Sequence, residues 1–90
     1  MTIQIDIPAV MRSLTENNKK INSNGNTLEQ LINNMNESYP GLKDRLISNG
    51  ELNRYINIFV NEDDVRFSGD LQAQVKSGDV VTILPAVAGG

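Results

Sequence analysis

One apolar stripe at helical spacing stands in a chain whose other apolar segments run at strand spacing. Leu28, Leu31, Ile32 and Met35 recur at i, i+3, i+4 and i+7, a pattern that lines one face of an α-helix. The stripe reads as core rather than as a ligand groove. Thr27-Leu28-Glu29-Gln30 opens it as a capping box. In such a box the Thr27 hydroxyl accepts from a free backbone N–H and Gln30 reaches back. Tyr39-Pro40-Gly41 stops the helix. A second helical turn is expected over Leu42 to Ile47, with Leu42 and Leu46 on one side.

The remaining segments have period two. Ile3, Ile5 and Ile7 alternate with Gln4 and Asp6, and Pro8 ends the run, which predicts a half-buried strand. A weaker strand covers Lys19 to Ser23, with Ile21 inward, before the turn Asn24-Gly25-Asn26. Ser48-Asn49-Gly50 is another turn. Arg54 to Asn61 is the clearest strand: Ile56, Ile58 and Val60 share one face, and Tyr55, Asn57, Phe59 and Asn61 the other. Glu62-Asp63-Asp64 reads as a solvated hairpin tip, since metal ligands seldom form one contiguous run. Val65 to Phe67 follows as a short return strand. Leu71 and Val75 lie in a connecting segment, and Lys76-Ser77-Gly78-Asp79 is the last turn. Val80 to Leu84 is nearly all apolar, so it is expected to be central and covered on both faces. Pro85 ends it because it has no N–H to give a ladder.

A helix packed across one face of a mixed sheet makes an α+β two-layer domain. A last strand that lies centrally, beside the first, and then releases a tail is the β-grasp (ubiquitin-like) arrangement. The chain is expected to form one domain over residues 1–85, with a flexible Gly-Gly tail over residues 86–90.

Composition narrows the function. Eight basic and eleven acidic residues leave a net charge of −3, which argues against nucleic-acid binding, because that needs a basic face. The apolar runs are too short for a membrane span. The start, Met-Thr-Ile-Gln-Ile-Asp, has no signal-peptide pattern, so a cytoplasmic location is expected. Cysteine and histidine are both absent. That removes disulfides, thiolate nucleophiles, zinc-finger sites and imidazole bases. The composition points to a carrier or substrate protein rather than an enzyme, with no metal and no bound cofactor.

The sequence ends Ala86-Val87-Ala88-Gly89-Gly90. Fully extended, five residues reach about 17–18 Å, far enough for a terminal carboxylate to enter another protein's active site. Ala86, Ala88, Gly89 and Gly90 keep the thread thin, Val87 is the one bulky member, and Pro85 marks where freedom begins. A carboxylate is a poor electrophile, anionic at neutral pH. Attachment of AMP would activate it, and without a side chain on Gly90 the carbonyl is open to a bulky nucleophile such as a persulfide. The product would be a thiocarboxylate, which gives a cysteine-free chain a way to carry sulfur. Docking needs a surface as well. Phe59, together with Phe67 on a neighbouring strand and Leu84, could form a partly exposed apolar patch near the tail; alternatively both rings are core.

These residues carry a resemblance. Ser77-Gly78-Asp79-Val80-Val81-Thr82-Ile83-Leu84-Pro85-Ala86-Val87-Ala88-Gly89-Gly90 resembles the ending of the ubiquitin-like sulfur carriers of the ThiS/MoaD type, and the likeness extends over the whole chain. Val60 to Gly69 and Ile83 to Gly90 are most similar to the branch that feeds a cysteine synthase. The resemblance implies a thiocarboxylate on Gly90, with Gly89 beside it in the channel. It implies an E1-like adenylating and sulfurtransferase enzyme that uses ATP, a PLP-dependent cysteine synthase, and a metalloprotease that releases cysteine. Molybdopterin-synthase small subunits usually carry aromatic residues before the proline, where this chain has Ile83-Leu84. Molybdopterin, thiazole and protein-modifier roles stay open beside the cysteine role.

Overall fold

The computed structural model describes residues 2–85. Along the chain run β1 (Ile3–Asp6), β2 (Lys20–Ser23), α1 (Leu28–Ser38), α2 (Leu42–Leu46), β3 (Ile47–Ser48), β4 (Glu51–Leu52), β5 (Ile56–Val60), β6 (Asp63–Asp64) and β7 (Val80–Pro85). Five of the strands form one mixed sheet in the order β2-β1-β7-β5-β6. β1 and β7 are parallel, with Ile5 opposite Val81, while β5 runs antiparallel to β7, with Ile58 opposite Ile83. A parallel pair cannot be joined by a tight turn. The long connection between β1 and β7 includes the helical layer.

That layer is held by the stripe read in the sequence. Leu28, Leu31, Ile32 and Met35 are all buried and share one core with Ile3, Ile5, Ile21, Ile58, Val81 and Ile83. Each fully buried aliphatic side chain contributes about 1.5–3 kcal/mol of transfer free energy. The helix start is capped as expected, Thr27 Oγ1 accepting from Gln30 N at 3.2 Å. The Gln30 side chain reaches one residue further back than a standard box, accepting from Asn26 N at 3.0 Å. At the other end Asn36 Oδ1 accepts from Gly41 N at 3.0 Å and Lys43 N at 3.1 Å. One amide therefore ties the end of α1 to the start of α2, across a Gly41 held at φ 105°. Leu42 and Leu46 complete the core from α2.

Four features differ from the sequence reading or add to it. Val65–Phe67 is a 3₁₀ turn, not a return strand, and the return strand is the two-residue β6 before it. The cause is Asp64, whose carboxylate accepts from Arg66 N at 2.9 Å and so bends the backbone out of the ladder. The final strand is central but covered on one face only. Val81 and Ile83 are buried, Val80 and Thr82 half-buried, and Leu84 and Pro85 exposed. Its outward positions are apolar without being core. The turn at Asn49 and Gly50 joins a small hairpin, β3 to β4. Both residues have positive φ, 55° and 80°, as a two-residue type I′ loop requires. Strands of two residues are too short to show a period. Finally, Ala9–Thr15 is a 3₁₀ helix that adds Met11 to the core and buries the Thr15 hydroxyl 2.9 Å from the Asn18 carbonyl.

Gly25 passes close under α1. A Cβ there would lie 2.6 Å from Leu31 N and 2.9 Å from Leu31 Cα. Gly25→Ala must therefore push the loop off the helix, and it is expected to lower unfolding free energy by about 1–3 kcal/mol. Leu31→Ala, at a fully buried position, is expected to cost about 2–5 kcal/mol. Urea unfolding of the full chain followed by circular dichroism checks both.

Candidate functional site at the end of strand β7

The site is built from the sheet outward. Because β1 and β7 are parallel they finish at the same end of the molecule, and β5, running the other way, begins there, with Ile56 opposite Pro85. The position at which the chain leaves the sheet is set by the register of β7. Asn61 and Asp79 pin that register at the far end. Asn61 adopts φ 59°, a left-handed conformation that asparagine tolerates better than most residues. Its amide Nδ2 donates to Asp79 Oδ1 at 3.1 Å, and its Oδ1 accepts from Val80 N at 3.1 Å. Asp79 Oδ2 in turn accepts from Lys76 N at 3.0 Å. A one-residue slip would turn Val81 and Ile83 out of the core. The polar lock and the apolar alternation thus agree on where Pro85 emerges. Ala86, Val87, Ala88, Gly89 and Gly90, assigned to the tail from the sequence, lie outside the described residues.

The three residues assigned to a docking surface are only partly brought together. Phe59 and Leu84 project from the sheet face opposite Ile58 and Ile83, Phe59 being paired with Thr82 and Leu84 with Asn57. They are diagonal neighbours on one surface, Phe59 half-buried and Leu84 45% exposed. Phe67 is not on a neighbouring strand. It stands on the 3₁₀ turn beyond β6 and is 90% exposed, so it is no part of the core.

Beside Asn57 lies a residue that the sequence reading passed over. Arg66 Nη1 donates to Asn57 Oδ1 at 2.7 Å, and Nη2 donates to the carbonyls of Ile56 at 2.7 Å and Asn53 at 3.3 Å. The guanidinium takes acceptors on the edge of β5 that a longer β6 would have used. An open sheet edge is a template for unwanted pairing, and here one side chain covers it.

A second surface at the same end has no periodic signal in the sequence. A groove of about 200 Å³ is lined by Val10, Met11, Arg45, Asn53, Tyr55, Ile56 and Pro85. Tyr55 was expected on the strand face with Phe59. It instead precedes β5, inside a turn where Asn53 Oδ1 accepts from Tyr55 N at 2.9 Å and Ile56 N donates to Asn53 O at 3.1 Å. There it lines the groove, 62% exposed, together with Val10 at 63%.

Several basic residues stand toward the same end. Arg45 lines the groove and Arg54 precedes Tyr55. Arg12 Nε donates to the Ile7 carbonyl at 3.1 Å, the Lys19 carbonyl accepts from Ile7 N, and Lys20 pairs with Asp6. Arg66, whose guanidinium reaches the Ile56 carbonyl, stands at the same end, and the acids Glu16, Asp44 and Glu51 lie in the same segments as Arg12, Arg45 and Arg54. Glu62 and Asp79 lie toward the end where β7 begins, while Asp64 shares the Thr82 rung of the sheet with Asp6 and Lys20. Among the described residues no helix is long and apolar enough to cross a membrane.

Comparison with known proteins places this architecture. The ThiS family matches residues 5–90. The sulfur carrier protein CysO of Mycobacterium tuberculosis is 44% identical over 93 residues, covering 100% of both chains. A crystal structure of CysO from that organism superposes with a TM-score of 0.91 at 42% identity, over 94% of this chain and 99% of that one. The Amycolatopsis orientalis BexX/CysO complex gives a TM-score of 0.93 at 44% identity, over 98% and 99% of the two chains. Small archaeal modifier protein 3 of Haloferax volcanii is 31% identical over 64 residues, 71% of this chain and 70% of its own. With a β-grasp sheet, a β7 that ends at Pro85 on the sheet's central axis and similarity to CysO over its full length, this chain belongs to the ThiS family of ubiquitin-like sulfur carriers.

Proposed function

We propose that this protein carries sulfur as a thiocarboxylate on Gly90 and delivers it for cysteine synthesis. The observation that supports this most strongly is the 44% identity to CysO over the full length of both chains. The geometry adds a reason. β7 ends at an exposed Pro85 beside the groove, and the five residues after it span up to about 17–18 Å. A partner can therefore hold the folded body at its surface and take the terminal carboxylate inside.

The chemistry follows from the acid. The Gly90 carboxylate attacks the α-phosphorus of ATP on an E1-like adenylating enzyme, and pyrophosphate leaves. A hydrosulfide equivalent then attacks the acyl carbon of the adenylate, AMP leaves with the C–O electron pair, and a thiocarboxylate remains. If the sulfur arrives as a persulfide, the first product is an acyl disulfide, and a second thiol cleaves it. Glycine at position 90 leaves the carbonyl unobstructed, and Gly89 and Ala88 let the thread pass a narrow channel. Val87 and Ala86 meet the channel walls, while Pro85 stays with the body. The thiocarboxylate sulfur next adds to an aminoacrylate on a PLP-dependent cysteine synthase. An S-to-N acyl shift gives a peptide bond between Gly90 and the new cysteine. Hydrolysis by a metalloprotease frees the cysteine and restores the carboxylate. The carrier holds no cofactor and acts as the substrate of each enzyme.

The similarity to a Haloferax small archaeal modifier supports a second reading, in which the activated Gly90 is joined to lysines of other proteins. Delivery of sulfur to molybdopterin or to a thiazole shares the same loading step. Deletion of Gly89 and Gly90 is expected to abolish ATP–pyrophosphate exchange by the adenylating enzyme, while the urea midpoint stays at the wild-type value. With the intact chain, mass spectrometry after loading should show one oxygen replaced by sulfur. The loaded chain, mixed with the cysteine synthase and O-phosphoserine, should then gain a cysteine residue. Ladders of adducts on other proteins, with no cysteine adduct, would favour the modifier reading.

A further inference from the structure

We infer that the groove beside Pro85 is the seat for the adenylating partner, and that the partner fills it with an apolar side chain flanked by Asp or Glu at the mouth of its tail channel. The inference rests on the proposed function, because it names the surface by which the enzyme that takes Gly90 holds the folded body.

Three observations converge on it. The groove is apolar where it is deepest, with Met11 buried and Ile56 half-buried, and its lips carry two large exposed side chains, Val10 and Tyr55. Exposed apolar surface arranged around a concavity marks an interface, and a tyrosine at such a lip is a frequent anchor. Arg45 lines the same groove and is exposed, and among the described residues it has no ion-pair partner. Pro85 forms part of the wall, so whatever sits here touches the chain where it leaves β7. Docking at this groove would fix both the position and the angle at which the following residues enter a partner.

Charge argues for an acidic occupant. Of the residues that line the groove, Arg45 is the charged one, so the groove itself is cationic. A site that binds ATP and activates a carboxylate must be cationic within. An acidic rim around a cationic interior would attract Arg45 to the rim and the terminal carboxylate inward. A chain of net charge −3 would then approach in the productive orientation, since it is the local field rather than the net charge that steers docking. The Phe59 and Leu84 surface lies on the outer sheet face and contributes no residue to the groove.

The test is ATP–pyrophosphate exchange by the adenylating enzyme, titrated with full-length variants. Arg45→Glu and Tyr55→Ser change exposed side chains, so both are expected to fold with the wild-type urea midpoint. Each should raise the KM for the carrier roughly tenfold and leave kcat unchanged. Lys76→Glu makes the same charge change in the turn before β7, at the other end of the molecule, and should move KM by less than about twofold. The chain lacking Gly89 and Gly90 should inhibit exchange competitively, and it should lose that inhibition when it also carries Arg45→Glu. Wild-type KM for Arg45→Glu and Tyr55→Ser, or an equal rise for Lys76→Glu, would overturn the groove as the seat. If the chain lacking both glycines still drives exchange, the tail reading itself fails. The two failures are therefore distinguishable.

Discussion

The parallel pairing of β1 with β7 is the constraint on which the rest of this structure depends. It puts the first and last strands of the described chain side by side in the middle of the sheet. Two parallel neighbours need a long crossover, and the crossover must be buried to be stable. The apolar stripe of α1 supplies that burial, which is why one capped helix suffices to close a two-layer domain of this length. The consequence for function is positional. A chain that leaves from a central strand leaves from the axis of the molecule, with β1 pairing with β7 as far as Thr82 and β5 as far as Pro85.

Polar side chains complete what the apolar pattern begins. Asn61, Asp79 and the backbone of Lys76 and Val80 form a compact set of hydrogen bonds at the start of β7. Arg66 gives three hydrogen bonds at the edge of β5. Hydrogen bonds of this kind add only about 0.5–1.5 kcal/mol each, but leaving their buried partners unsatisfied costs more. Their larger effect is on geometry. The first set fixes the register that decides where Pro85 emerges. The second closes the sheet beside the outer face that carries Phe59 and Leu84.

How much of this was legible in the sequence depended on whether a signal was periodic. The α1 stripe, its Thr27 cap and the alternation of β1 and β5 were readable because one side chain in two, or one in three or four, must face the core. The topology and the family followed from those elements and from the ending. The 3₁₀ turn at Val65–Phe67 was misread as a strand because Val-Arg-Phe has the composition of one, while the deciding event is a single hydrogen bond from Arg66 N to the Asp64 carboxylate. β7 was read as covered on both faces because Val80, Val81, Ile83 and Leu84 are all apolar. Apolar residues on an outer sheet face look identical, in sequence, to apolar residues in a core. The groove was invisible for a stronger reason. Val10, Arg45, Tyr55 and Pro85 come from four separate segments and meet only through the fold.

Net charge was the least informative number of all, and the reason is geometric. A value of −3 suggests a mildly acidic protein that would prefer a basic partner. The fold interleaves the charges instead: Lys20, Asp6 and Asp64 share one rung of the sheet, while the groove beside Pro85 is lined by a single charged residue, Arg45. At physiological ionic strength exposed charges are screened beyond about 8 Å. A partner at one end of a molecule whose longest extent is 38 Å therefore responds to the charges beside it and hardly to those at the far end. Asp79 holds the β7 register at the start of the strand. Because β7 runs from that lock to Pro85 at the groove, one strand sets the register at its start and fixes where it ends. A substitution that shifted the register by a single residue would disturb both at once.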